Sequence, residues 1–244
     1  MSRSPARDPF YTDLAWLYDA HQRGVRGDVE FYRDLALEAR ALAGGLTVEL
    51  GVGTGRTAIP AALAGARVLG LDLAREMLDL CREKAAEAGT RVYLAQGDMR
   101  SFALRECAAL VTIPHRAFLH NLTEEDQRAT IEACARALVP GGRLAMNVFN
   151  PEIIAAVEMM RGADAFEGVA NFDLVDQVIE TPMPMRAPDG GIHRGLLRVR
   201  YVYQPQLEAL LLDAGFSMEG WFGDFQRSRL GALSTEIIAL AIKT

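Results

Sequence analysis

At 244 residues, half of them hydrophobic and 24% charged, the chain has the size and composition of one large globular domain, or of one domain with an appendage. The formal net charge of −6 argues against a nucleic-acid partner, whose phosphates need a basic surface. Cys81, Cys107 and Cys134 form no CxxC pair, so no zinc site or disulfide frame is expected, and a reducing cytoplasm is. No apolar run reaches the ~18 residues of a membrane span, and no secretory leader is predicted.

Residues 1–9 are polar, hold two prolines and are expected to be irregular. Residues 10–42 read as two helices, the first with Leu14, Leu17 and Tyr18 on one face, the second with Phe31, Leu35 and Leu42. From Leu46 strands and helices alternate. LTVEL is a strand, and a helix from Arg56 to Ala64 opens directly after three glycines. ARVLGLD is a second strand. It precedes a helix over 74–88 with Met77, Leu78, Cys81 and Ala85 inward and Gly89 at its end. RVYLAQ and ALVTI are strands three and four. Thr123 caps the next helix, with Asp126 completing a capping box. That helix turns Ile131, Cys134 and Leu138 inward and stops at Pro140-Gly-Gly142. RLAMNVF is strand five. Such alternation predicts a parallel sheet with ligands beyond the carboxyl ends of its strands.

About 50 residues then exceed what a crossover needs. Residues 151–160 read as a helix. LVDQVIET and RGLLRVRYVY read as extended stretches around a turn at Pro188-Asp-Gly-Gly191. In the second stretch Leu197, Val199, Tyr201 and Tyr203 share one face and Arg198 and Arg200 the other. This is expected to be a small antiparallel cap, residues 151–203, laid over a main domain of 1–150 and 204–244. A helix over 204–214, the strand FSMEGWFG and the strand TEIIALAI close the chain.

The segment TVELGVGTGR at 47–56 carries the chemistry. Three clustered glycines suit a backbone that a ligand approaches closely, or merely a tight turn that packs a helix on a sheet. A nicotinamide dinucleotide has a frame in Gly53-x-Gly55-x-x-Ala58, with Asp72 about 20 residues on. Glu49 beside the turn disfavours it, because a pyrophosphate would rest there. A third acid, Asp98, closes strand three. A ligand that is cationic and lacks phosphate suits three acids at three successive strand ends, and S-adenosylmethionine is such a ligand. Gly51, Gly53 and Gly55 would admit its methionine part, and Glu49 would offer charge to the cationic end. Asp72 would accept from the ribose hydroxyls. Asp98 and the Met99 backbone N–H would meet the adenine, between Leu73 and Met77.

The motifs E-x-G-x-G-x-G at 49–55, GLDLAREML at 70–78, QGDM at 96–99 and LVPGGRLAMNVF at 138–149 resemble the class I S-adenosylmethionine-dependent methyltransferases. The N-terminal AWLYD and the strand-rich insertion look like bacterial small-molecule members of that family. The resemblance implies a seven-stranded doubly wound Rossmann-like sheet of order 3-2-1-4-5-7-6 with its last strand antiparallel. It also implies an N-terminal helical lid carrying Tyr11 and Tyr18 and cofactor contacts at Gly97 and Pro114. The product would be S-adenosylhomocysteine.

The stretch IPHRAFLHNL at 113–122 follows strand four, where the methyl group would point. It holds neither a metal-binding acid nor an Asn/Asp-Pro-Pro-aromatic run, so no metal and no nucleic-acid base is expected. His115 and His120 are the candidate general bases, each with a structural alternative, and transfer by positioning alone needs no base. Arg116, Phe118, Tyr201 and Tyr203 are candidates for acceptor contacts. The acceptor is expected to be an amine or hydroxyl of a small molecule. The rival readings are a nicotinamide oxidoreductase and a catalytically silent binding protein.

Overall fold

The computed structural model describes residues 9–22, 24–42, 45–153 and 171–244. Strands β1 (Leu46–Leu50), β2 (Arg67–Asp72), β3 (Tyr93–Gln96), β4 (Ala108–Ile113), β5 (Leu138–Phe149), β9 (Phe216–Phe222) and β10 (Glu236–Lys243) build one sheet of order β3-β2-β1-β4-β5-β10-β9. The first five pair in parallel, and β10 runs antiparallel to both β5 and β9. This is the expected 3-2-1-4-5-7-6 order. Every residue of β4 is buried, as befits a central parallel strand covered on both faces.

Helices α3 (Asp28–Ala39), α4 (Ala58–Leu63), α5 (Arg75–Glu87), α6 (Glu124–Ala137) and α7 (Gln204–Asp213) cover that sheet. The inward face of α5 is the predicted Met77, Leu78, Cys81 and Ala85. Three predictions need correction. The N-terminal region forms α1 (Pro9–Thr12) and α2 (Ala15–His21) ahead of α3, and Leu42 lies beyond α3, 40% exposed. Helix α6 stops at Ala137, before Pro140, because Leu138 turns extended and already pairs with Ala108. Finally, only half a capping box forms. The Thr123 hydroxyl accepts from the Asp126 N–H at 3.1 Å, but the Asp126 carboxylate is held by Arg100.

A second sheet, β6 (Asn171–Asp173), β7 (Val178–Arg186) and β8 (Ile192–Arg200), is antiparallel throughout and separate from the first. Its β7–β8 connection is the predicted turn, closed by Ala187 N–H to Gly191 O at 2.8 Å. Residues 151–153 are helical, and the rest of the helix expected over 151–160 lies outside the described residues. Phe10, Leu14 and Leu17 pack against Met185 and Ala187 of this sheet. Ala15 packs instead on Ala74 and Met77 at the start of α5. The N-terminal helices thus bridge the second sheet and α5.

Candidate active site

The carboxyl ends of β1 to β4 open into one cleft of about 1140 Å³. Gly51 and Gly53, Asp72, Leu73 and Met77, Gly97, Asp98 and Met99, and Pro114, His115, Arg116 and His120 line it, as do Tyr11 and Tyr18 from the opposite wall. The cleft therefore brings together residues up to 190 positions apart in the chain, from Pro9 to Val199.

The glycine loop is left-handed at Gly53 (φ 53°), and a Cβ there would meet no atom within 4 Å. Gly53 therefore borders open space, a cradle that a side chain would fill. Gly55 (φ 85°) serves packing instead. A Cβ there would stand 2.6 Å from Cys81 Sγ, and Gly55 does not line the cleft. Asp72 ties the loop down from the side. Its Oδ2 accepts from Gly53 N–H at 2.8 Å and its Oδ1 from Ala74 N–H at 2.9 Å. Burial raises its pKa, opposed by these backbone hydrogen bonds.

Glu49 departs from expectation. It is 3% exposed and does not line the cleft. Its carboxylate accepts from the Thr57 hydroxyl at 2.7 Å and from the Ala58 N–H. Burial pushes its pKa up to about 7. The side chain thus occupies the N-terminus of α4, the position a pyrophosphate would need.

The β4 loop is strained at two consecutive non-glycine residues, His115 (φ 53°) and Arg116 (φ 64°). This backbone turns His115 into the cleft. Burial, with Arg56 and Arg116 adding to it, lowers the His115 pKa to about 4, so the imidazole is neutral at pH 7. Its Nδ1 is buried without a hydrogen-bond partner among the described residues. His120 sits at the end of a 3-10 turn (Ala117–His120), with Nε2 2.8 Å from Tyr11 Oη. Tyr18 is buried enough that its phenol rises to about 12.

Of the acceptor candidates, Arg116 lines the cleft but its guanidinium is bound to the buried Glu236, with Nε 3.1 Å from Oε1. Asn147 holds the other Glu236 oxygen at 2.8 Å. Arg116 is thus already neutralised. Phe118 is fully buried and belongs to the core. Tyr201 and Tyr203 do not line the cleft. Strand β8 ends at Arg200, and Tyr201 N–H bonds Gln177 O at 2.9 Å, which turns the ring into the core. Tyr203 becomes the N-cap of α7. Leu197 and Val199 line the cleft, but so does Arg198, which the alternation put on the opposite face. Sequence reading missed Arg100 and Asn121, which line the cleft, and Asp19, which bonds the Thr54 hydroxyl at 2.6 Å beside the glycine loop. Asp19 closes AWLYD, Arg100 follows QGDM directly and Asn121 lies within IPHRAFLHNL, so each stood in or beside a stretch already singled out. Among the described residues no group of three or more His, Cys, Asp or Glu is placed to hold a metal.

Residues 48–142 match the family model described as a methyltransferase domain. The chain is 31% identical over 112 residues to a cypemycin N-terminal methyltransferase from Streptomyces sp., a match covering 46% of this chain and 45% of that one. It is 26% identical over 186 residues to a ubiquinone biosynthesis O-methyltransferase from Cronobacter sakazakii, covering 71% of this chain and 75% of the relative. The first match thus spans less than half the relative's length. The CcbJ methyltransferase from Streptomyces caelestis shares the fold with a TM-score of 0.73 and 24% identity, covering 91% of this chain and 98% of that one.

Proposed function

We propose that this protein is an S-adenosylmethionine-dependent methyltransferase acting on an amine or hydroxyl of a small molecule. The observation that carries this reading is the meeting of Gly53, Asp72 and Asp98 in one cleft while Glu49 fills the α4 N-terminus. A dinucleotide needs that terminus for its pyrophosphate; a sulfonium ligand does not. When bound, S-adenosylmethionine supplies a methyl group already activated on sulfur.

The residues suit such a ligand. Gly51 and Gly53 would admit its methionine part. Each Asp72 oxygen accepts one backbone N–H and keeps a site for a ribose hydroxyl. Leu73 and Met77 would flank the adenine, with Asp98 and the Met99 N–H at its edge. The cleft volume of about 1140 Å³ exceeds the ~300–1,000 Å³ of an ordinary small-molecule site, which leaves room for a second small ligand. We assign acceptor selection to the insertion 151–203, supported by Leu197 and Val199 in the cleft wall. Three free cysteines, two of them buried, suit a reducing cytoplasm.

Proton removal falls to His120 with Tyr11 and not to His115. A group with a pKa near 4 is a poor base at neutral pH. Tyr11 Oη would take the acceptor proton as its own passes to His120 Nε2, 2.8 Å away. The test is turnover of S-adenosylmethionine to S-adenosylhomocysteine over a panel of amines and hydroxy compounds, with calorimetry against S-adenosylhomocysteine and NADH. Binding of the first and not the second is expected, and His120→Ala should slow turnover ~10²–10⁴-fold. Binding of NADH alone would refute the reading, and binding without any turnover would favour the silent alternative.

A further inference from the structure

Strand β8 pairs with β7 alone and is the last strand of its sheet. Consecutive residues of it, from Arg194 to Val199, line the cleft. A strand that shows a cavity its face lines it with alternate residues; one that lines it with consecutive residues shows it an edge. This part of the cleft wall is therefore a strand backbone.

In an antiparallel pair, successive residues aim their backbone groups alternately at the partner strand and away from it. The phase is fixed at both ends of β7–β8. Ala187 N–H donates to Gly191 O at 2.8 Å, and Tyr201 N–H donates to Gln177 O at 2.9 Å. Both pairs continue the β7–β8 register, so its odd-numbered residues hold the ladder. The even-numbered residues point away from it. Arg186 N–H donates to His21 Nε2 at 3.0 Å, and Arg200 O accepts from Gln127 Nε2 at 3.2 Å. Pro182 and Pro184, which have no N–H to give, stand at even positions too. Arg194, Leu196 and Arg198 thus aim their N–H and C=O groups off the free edge, and these groups meet no hydrogen-bond partner among the described residues. Open edges in folded proteins are normally covered or blunted, because they pair readily with another chain.

We infer that this edge takes the methyl acceptor by strand addition, so that the reacting amine or hydroxyl is carried on a short extended peptide. The inference rests on the proposed function. From Arg194 to Arg198 the edge offers a donor and an acceptor at every second residue over ~14 Å. An extended peptide repeats its own donors and acceptors at that spacing, and strand addition makes its main chain the source of affinity. Arg198 is paired with Glu180 at 2.5 Å, whereas Arg194 has no ion-pair partner among the described residues. That guanidinium favours a peptide carrying an acid. The edge lines the same cleft as Tyr11 and His120, so a chain laid along it keeps its reactive group within that cleft.

The experiment is calorimetry of the full chain, saturated with S-adenosylhomocysteine, against the peptide Ala-Thr-Val-Thr-Glu. Binding is expected. Two N-methylated forms of the peptide are then compared, one blocked at the nitrogens of both threonines, the other at those of the valine and the glutamate. Only one set of N–H groups can face the edge. One form should therefore bind ~10–100-fold more weakly, while the other stays nearly unchanged. Leu196→Pro removes an edge N–H without touching the ladder. It should weaken the peptide ~10-fold and leave S-adenosylhomocysteine affinity as it was. If that variant does not fold, the two methylated peptides decide alone. Equal loss with both forms overturns the inference, since the contacts would then not follow one strand edge. So does a dimer in solution that Leu196→Pro dissolves, because a second copy would then close the edge. If S-adenosylhomocysteine does not bind, the proposed function fails and this inference with it. If it binds and the peptide does not at millimolar concentration, the function stands and the inference falls.

Discussion

Each oxygen of Asp72 already accepts a backbone hydrogen bond, from Gly53 and from Ala74, before any ligand is considered. The residue therefore has a structural duty that its place in the sequence does not reveal. Asp72→Ala is expected to weaken S-adenosylhomocysteine binding ~10–100-fold through loss of the ribose contact. The same change frees the Gly53 N–H and should cost about 1–3 kcal/mol of stability, a loss that a purely ligand-binding acid would not cause. Urea unfolding beside calorimetry separates the two effects. Unchanged affinity in the folded variant would remove Asp72 from the cofactor site. Glu49 and Arg116 show the same principle: Thr57 holds the first and Glu236 the second before any ligand is considered.

Helix α2 is joined to the glycine loop by more than packing. Asp19 accepts from the Thr54 hydroxyl at 2.6 Å and from Lys84 Nζ at 2.7 Å. Next to it, Arg56 grips Asp28 at the start of α3 with two bonds of 2.9 and 2.7 Å. We expect α1 and α2 to act as a lid over the cofactor. On that reading Asp19→Ala should speed S-adenosylhomocysteine release. The Asp19–Lys84 pair is largely exposed, so the effect is on the order of 1 kcal/mol, ~5-fold in the off-rate. Stopped-flow dissociation measures it; an unaltered off-rate would mean that the helices do not gate the cleft. The insertion behaves differently along its length. Leu197 and Val199 border the cleft, whereas Tyr201 is a core residue whose removal would damage the packing of the sheet.

Two buried groups give the whole molecule opposite dependences on pH. Glu49 has its pKa raised from an ordinary 4.5 to about 7, so the folded state holds a proton that the unfolded state has released. Its contribution is full below pH 4.5 and is lost as pH rises through 7. The loss is on the order of 3 kcal/mol. His115 has its pKa lowered from 6.5 to about 4, so the unfolded state binds the extra proton. Its contribution is full above pH 6.5 and is lost as pH falls through 4. Between roughly pH 4.5 and 6.5 the two slopes oppose and largely cancel. Glu49→Gln should unmask the His115 slope: stability rising with pH in that window, and a variant more stable than wild type at pH 8 but not at pH 4. Gln retains an oxygen for the Thr57 hydroxyl, so packing is preserved. Urea titrations at pH 4, 6 and 8 test this, and a stability difference independent of pH would show that folding does not shift the Glu49 pKa.

The sequence by itself determined the sheet, the glycine loop and the acids at the ends of β2 and β3. All of these lie in local patterns: apolar runs of strand length, helical spacing, and motifs of a few residues at a crossover. Only the tertiary structure decided which of those groups face the cleft. Glu49 turned under the loop because β1 delivers it to the N-terminus of α4, and Gly55 packs because α5 brings Cys81 against it. Tyr11 meets His120, and Arg100 meets Asp126, across elements far apart in the chain. The direction of a side chain at a strand end is set by what packs beside it, and that neighbour is usually remote in sequence. For the same reason Tyr201 and Tyr203 do not line the cleft as expected: the strand stops at Arg200, where the chain turns into α7.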